Sequence, residues 1–591
     1  MKNFFTSFFG AVLGVIISSI LIIVIAVASI IGGLASAISK SETTTEIKNN
    51  SVLLIDLNQP IKERTTDNPF ANFNFSNIGD KSIGLDKIIE NINCAKTDSS
   101  IKGIYLHLTT MEAGMAAMEE IRNALIDFKK SKKFIYAYSE MYSQKMYYLA
   151  SVADKIMLNP QGEFDFRGLS AQIMFFKKAL DNLQVDVQIF RHGKFKSAIE
   201  PFMLDKMSEA NRLQTEQFLG SIWNNMLTEI SKERKIEVAE LNNIADNLKI
   251  GSPDDALKNK LVDMLMYEDE VKSMIRKKLA IGENDKINFV KIAKYEPENA
   301  KVNDISVGDK VAVIYAVGSI ESGEGDDETI GSERIARAIR DARLDENVKA
   351  IVLRVNSPGG SALASDVMWR EVTLAKKAKP FVVSMGDVAA SGGYYISCAA
   401  DRIFAQPNTI TGSIGVFGIM PNAQKMLSER LGITIDTVNT NKHADMGGIF
   451  RGVTESERAF IQNSVEEVYD VFTKRVAEGR KMKQSAVDSI GQGRVWSGSD
   501  AVKINLVDEL GSLENAIEYA AKKAKIDDYS IQQLPKTKNP FDEILGNIEK
   551  ETESKVLKNQ LGETYIYLKN LKTIINLKGV QARMPYDLFI N

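Results

Sequence analysis

A serine followed by two glycines is the pattern in this chain best suited to acyl transfer. Ser391 stands directly before Gly392 and Gly393, shortly after an apolar run at residues 381–385. If a helix begins at Gly392, its dipole and free N–H groups favour an anion that develops beside Ser391. A single Ser-Gly-Gly is most often a turn, so the pattern needs support from elsewhere in the chain.

A second glycine pair follows the neighbouring apolar run at residues 351–355 and comprises Gly359 and Gly360. The N–H group of either glycine could join that of Gly392 in an oxyanion hole. Glycine-rich turns between strands and helices also bind phosphates. Neither glycine pair fits G-x-x-x-x-G-K-[ST] or G-x-G-x-x-G, which counts against a nucleotide site.

Histidine does not provide an obvious base for this serine. His107 lies in an apolar run that predicts a strand, His192 stands beside a charged cluster, and His443 lies in a loop rich in Asn and Lys. None of them gives a compelling Asp-His-Ser order, although His192 and His443 stay open as alternatives. A lysine can replace histidine if burial lowers its pKa from about 10.4 towards 7 to 8.

Lys196 is the candidate for that role, because an apolar cleft without a carboxylate lowers the pKa of a lysine. Its apolar neighbours in the sequence are Phe195, Ile199 and Phe202. Lys194 competes for the role, and Glu200 could pair with either lysine in a solvated surface bridge. The spacing alone does not decide between the two lysines.

The chain contains one domain fold twice. Residues 102–106 align with residues 349–353, and residues 147–156 align with residues 394–403 without a gap. The offset is the same for both segments and is too long for a solenoid repeat, so it indicates a duplicated domain.

The two copies differ in the residues that could do chemistry. Gln144 occupies the first-half position of Ser391, and His443 occupies the second-half position of Lys196. Each half therefore lacks the candidate that the other half holds. This division predicts one active site assembled from both halves.

Strands that alternate with helices must position these residues. The alternation predicts a parallel sheet with crossover helices in each half. The predicted strands are residues 52–57, 103–108 and 134–138 in the first half, and residues 311–317, 350–355 and 381–385 in the second. Ligands of an open parallel sheet bind at the carboxyl ends of its strands, and both glycine pairs fall on that edge.

The composition excludes several classes of function. The 591 residues carry a net charge of −3 with basic and acidic residues intermixed, which gives no support for nucleic-acid binding. Cys94 and Cys398, one in each half, do not make a disulfide framework. With three histidines and no Cys/His cluster, we expect no metal site and no cofactor.

The N-terminal segment, residues 1–40, has the character of a transmembrane anchor. No charge occurs between Lys2 and Lys40, and residues 9–31 are almost wholly apolar, where about 20 apolar residues suffice to cross a bilayer. A cleaved signal peptide is the alternative, since residues 35–37 are Ala-Ser-Ala, but its apolar region is usually only about 7 to 15 residues long. We therefore expect an uncleaved single-pass anchor that leaves the large body outside the cytoplasm.

The remainder of the chain divides into four predicted parts. The first repeat at residues 48–284 supplies Lys196, and the second repeat at residues 309–535 supplies Ser391. A polar linker at residues 285–308 joins them. A charged and helical extension at residues 536–591 follows, for which packing or assembly is the expected role.

Five short motifs occur in an order that is typical of one enzyme family. They are GKFKSAIEPF at residues 193–202, NSPGG at 356–360, AASGGY at 389–394, TGSIG at 411–415 and GRVWSG at 493–498. The chain resembles the long, tandem form of the signal peptide peptidase A (protease IV) family of membrane-bound serine–lysine proteases. The resemblance extends from the anchor to about residue 530.

This resemblance implies roles for six residues. Ser391 would be the nucleophile, Lys196 the general base, and Ser413 the hydroxyl that positions the lysine. The oxyanion region would comprise Gly359, Gly360 and Gly392.

An apolar pocket beside the serine, favouring small or apolar residues before the scissile bond, would be lined by Ala362, Leu363, Val416 and Phe417.

The resemblance also implies an architecture and a location. The fold would be α/β, with tandem duplicated spiral domains of the crotonase/Clp-protease type after one transmembrane helix. A homotetramer would form a bowl that opens toward the bilayer at the cell inner (cytoplasmic) membrane, with the catalytic body on the extracytoplasmic side. Its substrates would be cleaved signal peptides and other hydrophobic peptides.

Two other functions fit parts of the same sequence. A crotonase-like enzyme acting on acyl-thioesters shares the fold and the oxyanion hole, but needs neither Ser391 nor an anchor. A catalytically silent membrane scaffold would use the fold only to organise other proteins. Peptide cleavage that is lost in Ser391→Ala would separate these functions.

Overall fold

The computed structural model describes residues 47–65, 83–297, 308–537 and 579–584, together with four single residues between positions 14 and 22. The anchor predicted at residues 1–40 therefore lies almost entirely outside the described residues. Within the described ranges, none of the helices has the length and apolar character needed to cross a bilayer.

Three β-sheets organise the described ranges. Their strands are β1 (Ser51–Ile55), β2 (Ile101–His107), β3 (Phe134–Tyr142), β4 (Lys155–Phe164), β5 (Asp186–His192), β6 (Met264–Leu265), β7 (Asn288–Lys291), β8 (Lys310–Val317), β9 (Ser319–Glu321), β10 (Thr329–Gly331), β11 (Val348–Ser357), β12 (Gly359–Ser361), β13 (Phe381–Ala390), β14 (Arg402–Ala405), β15 (Ile410–Gly412), β16 (Val416–Asn422), β17 (Val495–Ser497), β18 (Glu509–Leu510), β19 (Ser530–Leu534) and β20 (Gln581–Arg583).

Helices cover these sheets. They are α1 (Leu85–Thr97), α2 (Met115–Lys129), α3 (Gln144–Ala150), α4 (Lys177–Asn182), α5 (Glu200–Met203), α6 (Glu209–Arg234), α7 (Val238–Asp246), α8 (Pro253–Lys258), α9 (Glu268–Leu279), α10 (Ser332–Leu344), α11 (Ala362–Ala378), α12 (Gly392–Ser397), α13 (Glu455–Arg480), α14 (Gln484–Ile490), α15 (Gly498–Lys503) and α16 (Leu513–Ala524). The segments Ser197–Ile199 and Ile292–Lys294 form single 3₁₀ turns, and Met426–Arg430 forms a π-helical turn.

Each repeat is built on its own largely parallel sheet. The first sheet has the order β6-β4-β3-β2-β1-β7, and every neighbouring pair in it is parallel. The second has the order β17-β15-β13-β11-β8-β19, with β14 and β18 attached beside β13. The central strands are aliphatic and buried on both faces, as expected for a sheet between helical layers. The predicted α/β architecture and its duplication are therefore confirmed.

The duplicated helices start and stop by the same physical means. α6 begins after Ser208, whose hydroxyl accepts from the backbone N–H of Asn211, and α13 begins after Thr454, which forms a capping box with Glu457. Lys481, directly after α13, has a left-handed backbone. Lys235, directly after α6, has the same conformation. The two long helices thus carry equivalent N-terminal caps and C-terminal turns.

A third sheet joins the two repeats. Its order is β10-β9-β12-β20-β16-β5, in which β5 comes from the first repeat and the other strands lie further along the chain. β5 and β16 pair antiparallel over seven residues, from Val416 opposite His192 to Asn422 opposite Asp186. The segment that carries Lys196 follows directly on β5, so this pairing brings it to the second repeat.

A buried ion cluster fixes the two repeats against each other. Arg354 on β11 is fully buried, and its guanidinium lies 2.8 Å from a carboxylate oxygen of Glu63 and 2.7 Å from one of Glu120. Both carboxylates belong to the first repeat. The Nδ2 group of Asn356 also donates to Glu63 at 2.7 Å. Buried charges are tolerated only when they are paired in this way, so the cluster favours one relative placement of the repeats.

Two predicted segments differ from the structure. The predicted linker at residues 285–308 contains β7, which pairs in parallel with β1. It also contains Tyr295, whose hydroxyl donates a hydrogen bond to Asp98 at 2.9 Å. Val290 and Tyr295 are buried in the core of the first repeat, so that repeat extends past residue 284.

The extension at residues 536–591 lies mostly outside the described residues. Its described end forms β20 rather than a helix, because small and apolar side chains there alternate with polar ones. The other domain limits stay predictions.

Candidate active site

The structure brings Lys196 and Ser391 together although they belong to different repeats. Lys196 Nζ lies 2.9 Å from Ser391 Oγ. It lies 3.1 Å from Ser413 Oγ and 3.3 Å from the carbonyl oxygen of Ser413. All three side chains are fully buried. The residues predicted as nucleophile, base and positioning hydroxyl therefore form one contiguous cluster.

The turn after β5 holds Lys196 in place through the second repeat. The N–H group of Phe195 donates to the carbonyl oxygen of Gln492 at 2.9 Å. A Cβ atom on Gly493 would lie 2.7 Å from Lys196 Cα, and Gly493 has φ +82°. Only glycine combines that backbone conformation with so close an approach. Gly493 is therefore a positioning residue, which the GRVWSG motif indicated without revealing its contact.

Gln214 on α6 is a further supporting residue that the sequence did not indicate. Its Nε2 group donates to the carbonyl oxygen of Phe195 at 3.1 Å and to Ser197 Oγ at 2.9 Å. Its Oε1 atom accepts from the N–H group of Val495 at 3.2 Å. A buried glutamine in a long charged helix has no sequence signal that separates it from its exposed neighbours.

Burial lowers the pKa of Lys196 well below the ordinary value of a lysine. Glu200, the carboxylate closest in sequence, accepts instead from Ser208 and from Asn211 Nδ2. Within the described ranges, Lys196 forms no salt bridge with any carboxylate. No carboxylate in the described ranges thus compensates for the desolvation of the ammonium, which favours the neutral amine that a general base requires.

Lys194 lies outside this cluster. Its side chain is exposed, and its Nζ atom lies 5.1 Å from the ring centre of Phe195. An exposed ammonium keeps its hydration, whereas the side chain of Lys196 is fully buried. The structure therefore separates the two lysines that the sequence left as competitors.

Ser391 sits at a strained turn between β13 and α12. It has φ +55° and ψ −111°, a region that residues with a side chain rarely adopt. Its N–H group donates to the carbonyl oxygen of Gly412 at 2.8 Å, and its Oγ atom lies 3.3 Å from the carbonyl oxygen of Gly415. Such a conformation costs about 1–3 kcal/mol and is retained where the surroundings impose it. It directs the hydroxyl toward Lys196.

The three glycines predicted for the oxyanion region lie beside this turn. Gly359 has φ +94°, and a Cβ atom on it would lie 2.6 Å from the nitrogen of Gly392. Its own N–H group donates to Ser357 Oγ at 3.1 Å. Gly392 is the first residue of α12, so its N–H group has no partner within the helix. Gly360 continues into β12 and pairs with Ala582.

The three histidines have other contacts. His107 Nε2 lies 3.9 Å from Glu268, and His443 Nδ1 lies 2.8 Å from Glu457. His192 is hydrogen bonded to Glu466 and stacks on Tyr469. Within the described ranges none of them contacts Ser391. The same ranges contain no group of histidine, cysteine and acidic residues arranged to hold a metal ion.

The first repeat carries a modified copy of the same site. Gln144, at the position of Ser391, donates to the carbonyl oxygen of Gly168 at 2.9 Å and accepts from its N–H group at 2.6 Å. Phe166 stands where the second repeat has Ser413. The turn itself differs, because Gln144 is the first residue of α3 and follows Ser143 with φ −72°, whereas Ser391 precedes α12 and has φ +55°. The hydroxyls of Ser391 and Ser413 are replaced in the first repeat by a cross-link and an apolar ring.

Comparison with known proteins gives the family. The model of peptidase family S49 matches the chain twice, over residues 127–282 and 373–527. This chain belongs to peptidase family S49. The predicted relationship to the signal peptide peptidase A (protease IV) family is confirmed, and the chain is a serine protease.

Curated S49 peptidases are similar over most of their length. Protease 4 of Salmonella typhi is 39% identical over 507 residues, which cover 83% of this chain and 80% of that protein. Protease 4 of Haemophilus influenzae is 37% identical over 454 residues, covering 74% of this chain and 73% of that protein. The chloroplastic serine protease SPPA of Arabidopsis thaliana is 32% identical over 518 residues, covering 86% and 75%.

The similarity of this chain to a solved structure is weaker than its similarity to these sequences. The ClpP1 N165D mutant from Listeria monocytogenes aligns with a TM-score of 0.24 at 13% identity, covering 35% of this chain and 94% of that one. That TM-score assigns no topology, so the crotonase/Clp-type spiral stays a prediction for this S49 peptidase.

Proposed function

We propose that this S49 peptidase cleaves peptides with a dyad of Ser391 and Lys196. The observation that carries the proposal is the 2.9 Å separation of Ser391 Oγ from Lys196 Nζ in a site closed to solvent. The uncompensated burial of the lysine supports its role as a base. Ser413 is the positioning residue, since its hydroxyl and its carbonyl oxygen both face Nζ.

The reaction begins when Ser391 Oγ attacks the scissile carbonyl carbon while its proton passes to Lys196 Nζ. The N–H groups of Gly392 and Gly359 receive the developing oxyanion. For this, Gly359 exchanges its hydrogen bond with Ser357 Oγ for one to the substrate. Gly360 holds the peptide backbone beside the site.

The second half of the reaction returns the proton. The Lys196 ammonium protonates the leaving amine, the C–N bond breaks, and an acyl-enzyme remains on Ser391. Neutral Lys196 then removes a proton from water as the water oxygen attacks the ester carbonyl carbon. The bond between that carbon and Ser391 Oγ breaks, the Lys196 ammonium returns the proton to Oγ, and the acid product leaves. The ammonium that forms twice in each cycle needs acceptors in a buried site, and Ser413 supplies two of them.

The substrates that fit best are cleaved signal peptides and other hydrophobic peptides. A relative from Enterococcus faecium, 39% identical over 188 residues that cover 32% of this chain, is named a putative signal peptide peptidase SppA, which supports this class. So does the apolar character of Ala362, Val416 and Phe417, which are buried near the glycine loops. Leu363 does not belong to such a pocket, because it lies on the outer face of α11 and is 72% exposed.

The finer architecture belongs to the same proposal. The apolar run at residues 9–31 supports a single-pass anchor at the inner membrane, with the catalytic body on the extracytoplasmic side. The tandem parallel sheets support spiral domains of the crotonase/Clp-protease type in a homotetramer. We expect the protein to stay in the membrane fraction after carbonate washing and to be digested by external protease in spheroplasts. In detergent we expect the mass of a tetramer.

Ser391→Ala tests the dyad on an apolar fluorogenic peptide. The variant should lose about 10³-fold or more in kcat, as nucleophile removal does in serine hydrolases. Ser397→Ala is the matched control, because that buried hydroxyl donates to the carbonyl oxygen of Gly393 within α12. It should retain most of the activity.

The alternatives predict different results. A silent scaffold cleaves no peptide in any form. An acyl-thioester enzyme turns over a thioester without Ser391, so thioester hydrolysis that survives in Ser391→Ala would overturn the dyad.

A further inference from the structure

One turn of the second repeat, residues 491–494, is bonded to both segments that hold the proposed site. The carbonyl oxygen of Gln492 accepts from the N–H group of Phe195 at 2.9 Å, directly before the lysine of the dyad. The carbonyl oxygen of Arg494 accepts from the N–H group of Ser413 at 2.7 Å. The position of this turn therefore sets the general base and the hydroxyl beside it relative to each other.

Tyr469 on α13 holds this turn through its hydroxyl. The hydroxyl accepts from the N–H group of Gln492 at 3.2 Å and donates to Asp488 Oδ1 at 2.6 Å. The same Oδ1 atom accepts from Gln492 Nε2 at 2.6 Å. Tyr469 is buried, so these bonds are largely shielded from competition by water. Tyr469, Asp488 and Gln492 together form a closed set of three hydrogen bonds, the tyrosine clamp.

The backbone of Gln492 needs this support. It has φ +55°, in the left-handed region that residues with a side chain rarely adopt. A Cβ atom on Gly193 would lie 2.4 Å from its carbonyl oxygen, and one on Gly493 would lie 2.7 Å from Lys196 Cα. The two chain segments therefore touch at backbone level. The tyrosine clamp binds both the N–H group and the side-chain amide of Gln492, and so stabilises the conformation that this contact requires.

The ring of Tyr469 contacts the lysine segment at a second place. His192, the last residue of β5, stacks on that ring with the ring centres 3.7 Å apart and the planes at 19°. His192 is also hydrogen bonded to Glu466 on α13. The chain runs from His192 directly into the turn that carries Lys196. Tyr469 therefore supports the lysine segment with its ring through His192, and with its hydroxyl through Gln492.

We propose that Tyr469 is a positioning residue for the general base Lys196. It acts through Asp488 and Gln492 on the turn at residues 491–494. The proposal rests on the dyad, since it names what holds the base of that dyad in place. Within the described ranges, the Tyr469 hydroxyl forms no hydrogen bond with either residue of the dyad. Its effect on catalysis is therefore exerted through the placement and the burial of the lysine.

Other charged and titratable groups lie around the tyrosine clamp. His192 and Glu466 lie at the ring of the tyrosine. The guanidinium of Arg494 and the ammonium of Lys194 lie 4.9 and 5.1 Å from the ring centre of the phenylalanine before Lys196. The described residues give the amine of Lys196 no ion pair, and burial is the cause of its lowered pKa. A change in that pKa on loosening the turn would therefore report a change in the hydration of the amine.

Tyr469→Phe tests this in the full-length protein on an apolar fluorogenic peptide. The variant keeps the ring that stacks on His192 and loses both hydrogen bonds of the hydroxyl. A looser turn lets water reach Lys196, which raises the pKa of that amine toward its ordinary value. The acid limb of kcat/KM should then move up by about one pH unit, with about a tenfold loss on that limb and a plateau within about threefold of the wild type. The loss should appear in kcat and not in KM, because the tyrosine acts on the base.

Tyr395→Phe is the matched control. Tyr395 is also buried in the second repeat, and its hydroxyl donates to Asp366 Oδ1 at 2.7 Å. The variant therefore loses the same kind of hydrogen bond, but one that joins α12 to α11 and not to the turn at residues 491–494. Its pH profile should equal that of the wild type.

Asp488 gives a second pair of variants, which keeps the test decisive if Tyr469→Phe folds poorly. Asp488→Asn retains an oxygen that can accept from the Tyr469 hydroxyl, so its pH profile should stay close to that of the wild type. Asp488→Ala removes the acceptor and should move the acid limb as Tyr469→Phe does. The double variant should move it no further, because both changes open the same clamp.

Each remaining outcome overturns a defined part. If Tyr469→Phe and Asp488→Ala keep the wild-type pH profile while Ser391→Ala is inactive, the dyad stands and Tyr469 is not a positioning residue. If Tyr469→Phe lowers the plateau and the acid limb equally, its hydroxyl has only a structural role and the proposal is wrong. The proposal is also wrong if Tyr395→Phe moves the acid limb as far. If no form of the protein cleaves peptide, the dyad fails and the positioning role fails with it.

Discussion

In the proposed mechanism, Ser413→Ala removes one acceptor from the ammonium that Lys196 becomes during catalysis. Ser413 Oγ lies 3.1 Å from Nζ in a fully buried site where water cannot replace it. A hydrogen bond to a charged group contributes about 1.5–3 kcal/mol. Because about 1.4 kcal/mol is a factor of ten in rate, kcat/KM should fall about 10- to 150-fold.

The same substitution should shift the pH profile. Burial already lowers the pKa of Lys196, and an acceptor partly offsets this by stabilising the charged form. Removing the acceptor lowers that pKa further. The rate rises with pH as the lysine loses its proton, so the acid limb of kcat/KM should move to lower pH while the plateau drops. Steady-state assays on an apolar fluorogenic peptide between pH 5 and pH 10, a range of about five decades in proton concentration, measure both effects.

Ser197→Ala is the control for this prediction. Ser197 is equally buried and adjacent to Lys196, but its hydroxyl accepts from Gln214 Nε2 rather than facing Nζ. It should retain activity within about threefold, with an unchanged pH profile. The reasoning is refuted if Ser413→Ala keeps most of the activity and its pH profile, or if Ser197→Ala loses as much.

Three further predictions concern the general base, the contact between the two repeats and the need for both repeats in catalysis. Lys196→Arg should be nearly inactive in the peptide assay, because guanidinium stays protonated, whereas Lys194→Ala should be mild; the reverse order would show that the base is misassigned. Arg354→Met should lower the free energy of unfolding in urea by about 3–5 kcal/mol, since it leaves Glu63 and Glu120 buried without a counter-charge, and an unchanged midpoint would contradict this. Neither repeat expressed alone should cleave peptide, while co-expressed repeats that associate should; robust cleavage by the second repeat alone would place the base there.

The sequence predicted those parts of the fold that follow from local pattern. Aliphatic runs separated by amphipathic segments indicated the parallel strands, and the constant offset between the halves indicated the duplication. The offset also singled out Ser391 and Lys196 in the sequence, because neither has an identical residue at the corresponding position of the other repeat. Their proximity could not be derived from the spacing, because it depends on the pairing of β5 with β16.

The parts that were not predicted depend on long-range contacts. β7 and β20 are short strands in polar surroundings, and each is stabilised by partners far away in the sequence. Burial distinguishes Lys196 from Lys194, and Glu200 is hydrogen bonded to residues at the N-terminus of α6. Which side chains become buried or paired depends on long-range packing in the folded protein, so it cannot be predicted from a short stretch of sequence.

The cross-link at Gln144 means that a single substitution cannot give the first repeat a working site of its own. Changing Gln144 to serine would introduce a hydroxyl but would also remove both hydrogen bonds to Gly168. The new hydroxyl would find the ring of Phe166 where a positioning hydroxyl belongs, and the partner that replaces the lysine, His443, is bound to Glu457. Several simultaneous changes would be needed before either half gained from any one of them. A second dyad in the first repeat is therefore more than one substitution away, and two copies of the fold serve the one proposed site.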